Sequence, residues 1–211
     1  PLFIESGKGA RLIDVDNNEF IDYILALCPI ILGYADADVD QAIREQLDKG
    51  IIFSLGSPLE VELSEKLVKL IPCAEKVRFA KNGSDLTTWA IRVAREQTGR
   101  PFVLKAKGAY HGVDAWCDPG FGGRLEEDRT HILEFSWNSL DEFRNLLKSY
   151  ANQISSVILT PYHHAAFAPS ILPTDEFWNV VEKECEKNGI ILILDDVRAG
   201  GRLNEGGSHR Y

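Results

Sequence analysis

Three short stretches of this 211-residue chain combine residue types that chemistry needs. The first is Lys81-Asn82-Gly83-Ser84-Asp85. A glycine followed by a hydroxyl residue at a helix start offers free backbone N–H groups and the positive end of the helix dipole, which suit a phosphate. The same residues also make a plain N-cap through Ser84 or Asp85, and the motif alone does not choose. The second stretch is Gly108-Ala109-Tyr110-His111-Gly112. An aromatic ring between glycines can lie against a planar ligand, because glycine lets the backbone come close. An ordinary loop with a half-buried tyrosine is the plainer alternative. His111 has a ring suited to a general base or to simple hydrogen bonding. The third stretch is Asp195-Asp196-Val197, which follows the apolar run Ile190–Leu194. Two carboxylates ending a buried strand are costly unless they meet a cation or a donor. They could bind magnesium, pair with a protonated ring nitrogen, or cap the next turn. No G-x-x-x-x-G-K-[ST] loop supports the magnesium-nucleotide option.

Each stretch follows an apolar run, so the elements around it decide where it sits. Val77–Ala80, Phe102–Ala106, His131–Phe135, Ser156–Thr160 and Ile190–Leu194 read as strands. Between them, Asp85–Gln97 closed near Gly99, a helix opened by Ser139 and Glu142 and running to about Tyr150, and one from Thr174 to near Gly189 read as helices. Strands alternating with helices imply parallel pairing, and ligands of such folds bind beyond the carboxyl ends of the strands. Upstream, Arg11–Val15 and Phe20–Ile24 form a strand pair around an Asp16–Asn18 turn, and Val39–Lys49 is a helix ended by Gly50. Ser57, Pro58 and Glu60 open a further helix whose apolar face includes Leu63, Leu67, Leu70 and Ile71. The expected architecture is α/β. The sheet is expected to be mostly parallel and wrapped by helices. The uninterrupted run Ile190–Leu194 is expected as a central strand covered on both faces.

Hydrophobic residues make up 45% and charged residues 26% of the chain, proportions of a folded protein and not of a disordered or fibrous one. A net charge of −9 without any Lys/Arg cluster argues against a nucleic-acid surface. No apolar run is long enough to cross a bilayer, and the cytoplasm is the expected location. Cys28, Cys73, Cys117 and Cys185 lie far apart without a C-x-x-C pair, as reduced and mostly buried thiols would, and no clustered ligands suggest a metal site. The chain contains no methionine, opens at Pro1 and stops at Tyr211 after a glycine-rich stretch, the pattern expected of a piece of a longer chain.

Together the three stretches describe one ligand: a phosphate at one end, a flat ring in the middle and a basic nitrogen at the other. Pyridoxal phosphate has that layout. Over nearly its whole length the sequence resembles the class III aminotransferases, including the glutamate-1-semialdehyde aminomutase branch. Gly9–Tyr23, Leu32-Gly33-Tyr34, the segment Val77–Asp85 with the helix behind it to Arg100, Tyr110-His111-Gly112, and Leu194–Val197 with Gly200 and Arg202 carry the resemblance. It implies a three-layer, mostly parallel sheet wrapped by helices, the incomplete large domain of a pyridoxal-phosphate-dependent transferase over residues 51–211, with residues 1–50 a segment of its small N-terminal domain and with Asn82, Gly83 and Ser84 on the cofactor phosphate. It further implies Tyr110 stacked on the ring, Val197 on the opposite face and Asp195 at the ring nitrogen, with His111 and Asp196 in support. A homodimer acting on a small amine or amino acid and a keto acid or aldehyde is implied as well.

In that family a lysine beyond the aspartate holds the cofactor. No lysine follows Asp195 here, and Lys81, Lys105 and Lys107 sit in other motifs, so this chain alone is not expected to transaminate. Ser84-Asp85-Leu86 stands where Thr-Glu-Ala is usual, Thr160-Pro161 where Glu-Pro is usual, and Gly201 where Phe is usual. These departures mark a divergent branch and leave the substrate open. An aminotransferase is the expected function. The alternatives are an aminomutase, a non-catalytic cofactor-binding relative, and a nucleotide-binding α/β domain, the last lacking both G-x-G-x-x-G and a Walker loop.

Overall fold

The computed structural model describes residues 1–120, 122–164 and 169–208. The chain divides into two compact units, Pro1–Glu65 and Lys66–Tyr211. In the first, β1 (Ile4–Lys8), β2 (Arg11–Asp14) and β3 (Glu19–Ile21) form an antiparallel sheet in that order. The turn between β2 and β3 is held by Asp14, whose Oδ1 accepts the N–H groups of Asp16 at 3.0 Å and Asn18 at 2.8 Å. β3 stops short of the expected Ile24 because the Asp22 carboxylate turns the chain. It accepts the N–H groups of Ile24 and Leu25 and the Tyr34 hydroxyl. α1 (Ala37–Leu47) starts on the Asp36 side chain. α2 (Pro58–Leu70) has the expected capping box, Ser57 N–H to Glu60 Oε2 at 2.9 Å and Glu60 N–H to Ser57 Oγ at 3.4 Å. Its expected apolar face is not buried, since Leu63 and Leu70 stay exposed.

The second unit holds α3 (Gly83–Thr98), β4 (Phe102–Ala106), β5 (Ile132–Phe135), α4 (Leu140–Tyr150), β6 (Ile154–Leu159), α5 (Phe177–Asn188) and β7 (Ile191–Leu194). All strand pairs are parallel, in the order β5-β4-β6-β7. Alternation along the strands sorts side chains onto two faces. Leu104, Ala106, Phe135, Val157 and Leu159 pack with Phe143 and Leu147 of α4 and with Phe177 and Val181 of α5. Val103 and Ile158 pack with Ile91 of α3. Helix, sheet and helix make three layers, and each fully buried aliphatic or phenyl side chain contributes about 1.5–3 kcal/mol. Glycines close two of the helices in the left-handed conformation, Gly99 after α3 and Gly189 after α5.

Several expectations need correction. Val77–Ala80 is not a strand: no ladder forms there, because among the described residues no segment offers it matching N–H and C=O groups. Among the described residues the run Ile191–Leu194 pairs with β6 alone and is half-buried, without the cover on both faces expected of it. An apolar run does not report a strand's place in the strand order. α5 begins at Phe177, after a turn in which Phe177 N–H donates to the Thr174 carbonyl at 3.0 Å. Cys117 and Cys185 are buried as expected, whereas Cys73 is exposed and Cys28 half-buried. No helix among the described residues is long and apolar enough to cross a membrane.

Candidate active site

The cap of α3 is Asn82, not Ser84 or Asp85. Its backbone is extended (φ −152°, ψ 171°) and its Oδ1 accepts the Asp85 N–H at 3.0 Å. Gly83 and Ser84 are therefore the first two helical residues, and N–H groups at that position have no carbonyl partner within the helix. The Ser84 hydroxyl accepts the Val113 N–H at 3.1 Å. Gly112 lies so close that a Cβ on it would stand 2.8 Å from Ser84 Oγ. Thr87 Oγ1 completes the junction by donating toward the carbonyls of His111 at 2.6 Å and Ser84 at 3.1 Å. The helix start and the aromatic loop are thus one structure.

The same loop reaches the end of β7. His111 is buried, and its Nδ1 lies 2.8 Å from Asp195 Oδ2. Facing a carboxylate oxygen, which accepts, Nδ1 is the ring nitrogen that donates. The other ring nitrogen, Nε2, is buried without a partner among the described residues. Asp195 is set in place by its own N–H, which donates to the Leu159 carbonyl of β6 at 2.8 Å. Asp196 turns elsewhere. Its Oδ2 accepts the Ser208 N–H at 2.9 Å and its carbonyl accepts the Gly200 N–H at 2.9 Å, so it holds the turn after β7. The two carboxylates have separate partners, and no group of three metal-ligating side chains gathers among the described residues.

The Val197 N–H donates to Asp195 Oδ1 at 3.4 Å, but the side chains of Tyr110 and Val197 stay outside this network. They are 44% and 66% exposed, which leaves two apolar surfaces open beside it. Gly83 likewise has open space where a side chain would stand.

Sequence reasoning missed His163 and His164, which follow β6 and are both buried. Among the described residues His163 Nδ1 and His164 Nε2 have no hydrogen-bond partner, and His163 stacks on Trp137 with ring centroids 5.7 Å apart. Burial lowers the pKa of His163, and His111 and Lys105 add to the effect. Burial also lowers that of His164, helped by Arg198 and opposed by Asp195. Consecutive histidines just past a strand-end Thr-Pro were the available signal. Lys105 was set aside as a catalytic amine, although a charge inside an otherwise apolar strand called for a structural account.

Fold and site together define a class: an α/β protein gathering a helix N-terminus, an aromatic loop and a histidine-braced carboxylate near the carboxyl ends of its strands. The chain belongs to the class III aminotransferase family, whose model, described as Aminotransferase class-III, matches residues 1–117. It is 38% identical to the 3-aminobutyryl-CoA aminotransferase of Cloacimonas acidaminovorans over 214 residues, covering 100% of this chain and 50% of that protein. It is 37% identical to the glutamate-1-semialdehyde 2,1-aminomutase of Thermodesulfovibrio yellowstonii over 223 residues, covering 100% of this chain and 52% of that one. Among solved structures, the FumI protein of Sphingopyxis sp. MTA144, in its PLP internal aldimine form, superposes with a TM-score of 0.92 at 36% identity, over 95% of this chain and 49% of that one. An omega-transaminase from Sphaerobacter thermophilus gives a TM-score of 0.92 at 26% identity, over 100% and 51%. The chain spans about half the length of the curated relatives it matches.

Proposed function

We propose that the whole protein containing this chain is a pyridoxal-phosphate-dependent aminotransferase, moving an amino group between an amine or amino-acid donor and a keto or aldehyde acceptor. One observation carries the reading. The loop from Tyr110 to Val113 is bonded to Asp195 through His111 at 2.8 Å and to Ser84 through Val113 N–H at 3.1 Å. A single loop therefore links a helix start suited to an anion to a half-buried carboxylate, with an exposed aromatic side chain between them. That order matches phosphate, ring and ring nitrogen in the cofactor. The unpartnered His111 Nε2 and the open surfaces of Tyr110 and Val197 suit a polar, flat group nearby.

When bound, the cofactor supplies a protonated ring that draws negative charge from the reacting carbon of the substrate. The chain's own residues do the rest. Gly83 and Ser84 hold the phosphate through first-turn N–H groups and a hydroxyl, on a helix start that Asn82 fixes. Asp195 keeps the ring nitrogen protonated, and the His111 N–H aims that carboxylate. Tyr110 and Val197 cover the two ring faces and exclude water.

The covalent anchor of such a cofactor is a lysine amine. None follows Asp195 in this chain, and Lys105 is engaged by Glu134 and the Ala109 carbonyl. This chain alone is therefore proposed to be inactive. Borohydride reduction of the loaded whole protein, followed by peptide mapping, tests the reading. The label is expected on a lysine outside residues 1–211. Labelling of Lys81, Lys105 or Lys107, or no label at all, overturns it, and the last result favours a non-catalytic relative.

An aminomutase is the second reading, favoured by the glutamate-1-semialdehyde 2,1-aminomutases among the relatives, 34–37% identical. Product formation without any added keto acid would select it. A cytoplasmic homodimer completes the proposal. Tyr23, Leu27, Ile52 and Leu55 are strongly exposed, as surfaces awaiting a covering partner would be.

A further inference from the structure

Lys105 is the one charged residue of β4, and its side chain is fully buried. Its ammonium meets two groups, Glu134 Oε1 at 3.0 Å and the Ala109 carbonyl at 3.0 Å. β4 and β5 pair in register with Lys105 opposite Glu134, and Arg129 closes on the same carboxylate oxygen at 2.6 Å. Burial lowers the pKa of Lys105 while Glu134 pulls it back up. Burial pushes Glu134 up, but the two cations bring it below the usual carboxylate range. The neighbouring Cys117 thiol, pushed up to about 12 by burial, stays neutral.

Ala109 is the residue before Tyr110. The chain leaves β4 through a turn in which Ala109 N–H donates to the Ala106 carbonyl at 3.1 Å and Gly108 takes a φ of +75°. Lys107 N–H is still held by the Phe135 carbonyl at 2.8 Å. The Ala109 carbonyl is thus the last point tied back to the sheet before the loop crosses to Ser84 and Asp195. A buried ion pair adds little net stability over a well-packed apolar pair, so stability alone does not account for a charge here.

We propose that Lys105 is a positioning residue of the cofactor site: held by Glu134 and Arg129, its ammonium fixes the Ala109 carbonyl and so the direction in which Tyr110 and His111 leave the sheet. The proposal rests on the cofactor reading above. It gives Lys105 no covalent role, because an ammonium held by a carboxylate is not a nucleophile.

Lys105→Met and the double variant Lys105→Met/Glu134→Leu, made in the whole protein, separate positioning from bulk stability. The single variant leaves Glu134 partly buried beside Arg129 alone, and it should lower both the melting temperature and the affinity for pyridoxal phosphate. The double variant also removes the partly buried carboxylate and leaves Arg129, whose side chain is 26% exposed, to turn to water, so the melting temperature should recover in part. Its pyridoxal phosphate affinity should remain at least about tenfold weaker, since the Ala109 carbonyl is still untethered and small misplacements at a site are costly. In the cofactor-free protein, amide exchange across residues 110–113 should be at least about tenfold faster in both variants. If Lys105→Met does not fold, the double variant carries the test. A double variant that binds pyridoxal phosphate within about twofold of the parent, with unchanged exchange, overturns the proposal. Failure of the parent itself to bind the cofactor removes the functional reading instead, while the exchange measurement still decides whether Lys105 tethers the loop.

Discussion

Replacing Gly112 by alanine asks whether the helix start and the aromatic loop form one site. The added Cβ would stand 2.8 Å from Ser84 Oγ and 3.0 Å from both Ser84 Cα and Cβ. Comfortable carbon–carbon contact begins near ~3.5 Å. The hydroxyl can rotate away, but the Cα belongs to the first turn of α3 and cannot. The backbone at φ +132° adds strain that glycine does not feel. Overpacking costs about 1–3 kcal/mol and an unfavourable backbone about 1–3 kcal/mol, so the substitution costs about 2–6 kcal/mol. The molecule has two responses. It can keep the loop in place and lose stability, or it can let the loop move off Ser84 and break the Val113 hydrogen bond. The second response turns the cost into lost affinity at about 1.4 kcal/mol per tenfold, so pyridoxal phosphate should bind roughly 30-fold more weakly or worse. Denaturant unfolding and cofactor titration of the whole protein, read side by side, show which response prevails. Gly122→Ala is the control, because nothing lies within 4 Å of its Cβ position and its effect should stay within about 0.5 kcal/mol. A Gly112→Ala protein with unchanged unfolding and unchanged affinity would refute the packing of this loop on Ser84.

Asp195→Asn keeps an acceptor for His111 but no charge for a ring nitrogen. Transamination should fall by about 100-fold or more with stability changed by less than about 1.5 kcal/mol, and a variant retaining a tenth of the activity counts against the assignment. His111→Phe leaves the Asp195 carboxylate without its imidazole donor, with only the longer Val197 N–H contact, and should cost about 1.5–3 kcal/mol in urea unfolding; no loss would mean the contact is not worth making. Asn82→Ala should cost about 1 kcal/mol as a lost helix cap. A parallel drop in cofactor affinity is expected too, and without it Asn82 is a cap and nothing more. The buried His163 and His164 give stability a pH dependence, since their folded pKa values lie below the ordinary 6.5. The unfolded chain binds protons there more readily, so their contribution is present above about pH 6.5 and is lost as pH falls below it. The slope is up to about 1.4 kcal/mol per pH unit for each proton of difference. Urea midpoints across this range should fall on acidification, and less steeply in a His163→Gln/His164→Gln protein; an equal slope in both would sink the idea.

Some of this protein was legible in its residues alone. The capping pairs Ser57/Glu60 and Ser139/Glu142, the closing glycines Gly99 and Gly189, and strand β4 follow from interactions within a few positions of each other. A linear pattern contains such information in full. The residue types after the apolar runs, together with the family resemblance, also proposed Ser84, Tyr110 and Asp195 as candidates without any knowledge of contacts. What joins them was not legible. His111 and Asp195 lie 84 positions apart, and Ser84 and Val113 lie 29 apart. Only the parallel pairing of β4, β6 and β7 brings their strand ends side by side. The same holds for the cap passing to Asn82, the parting of Asp195 from Asp196, the buried histidines after β6 and the ion pair beneath the loop. Each depends on what is packed above, below or alongside a residue. Local periodicity specifies which face of an element is apolar, but the neighbour across that face is settled only when the layers close and every buried polar group must find its partner.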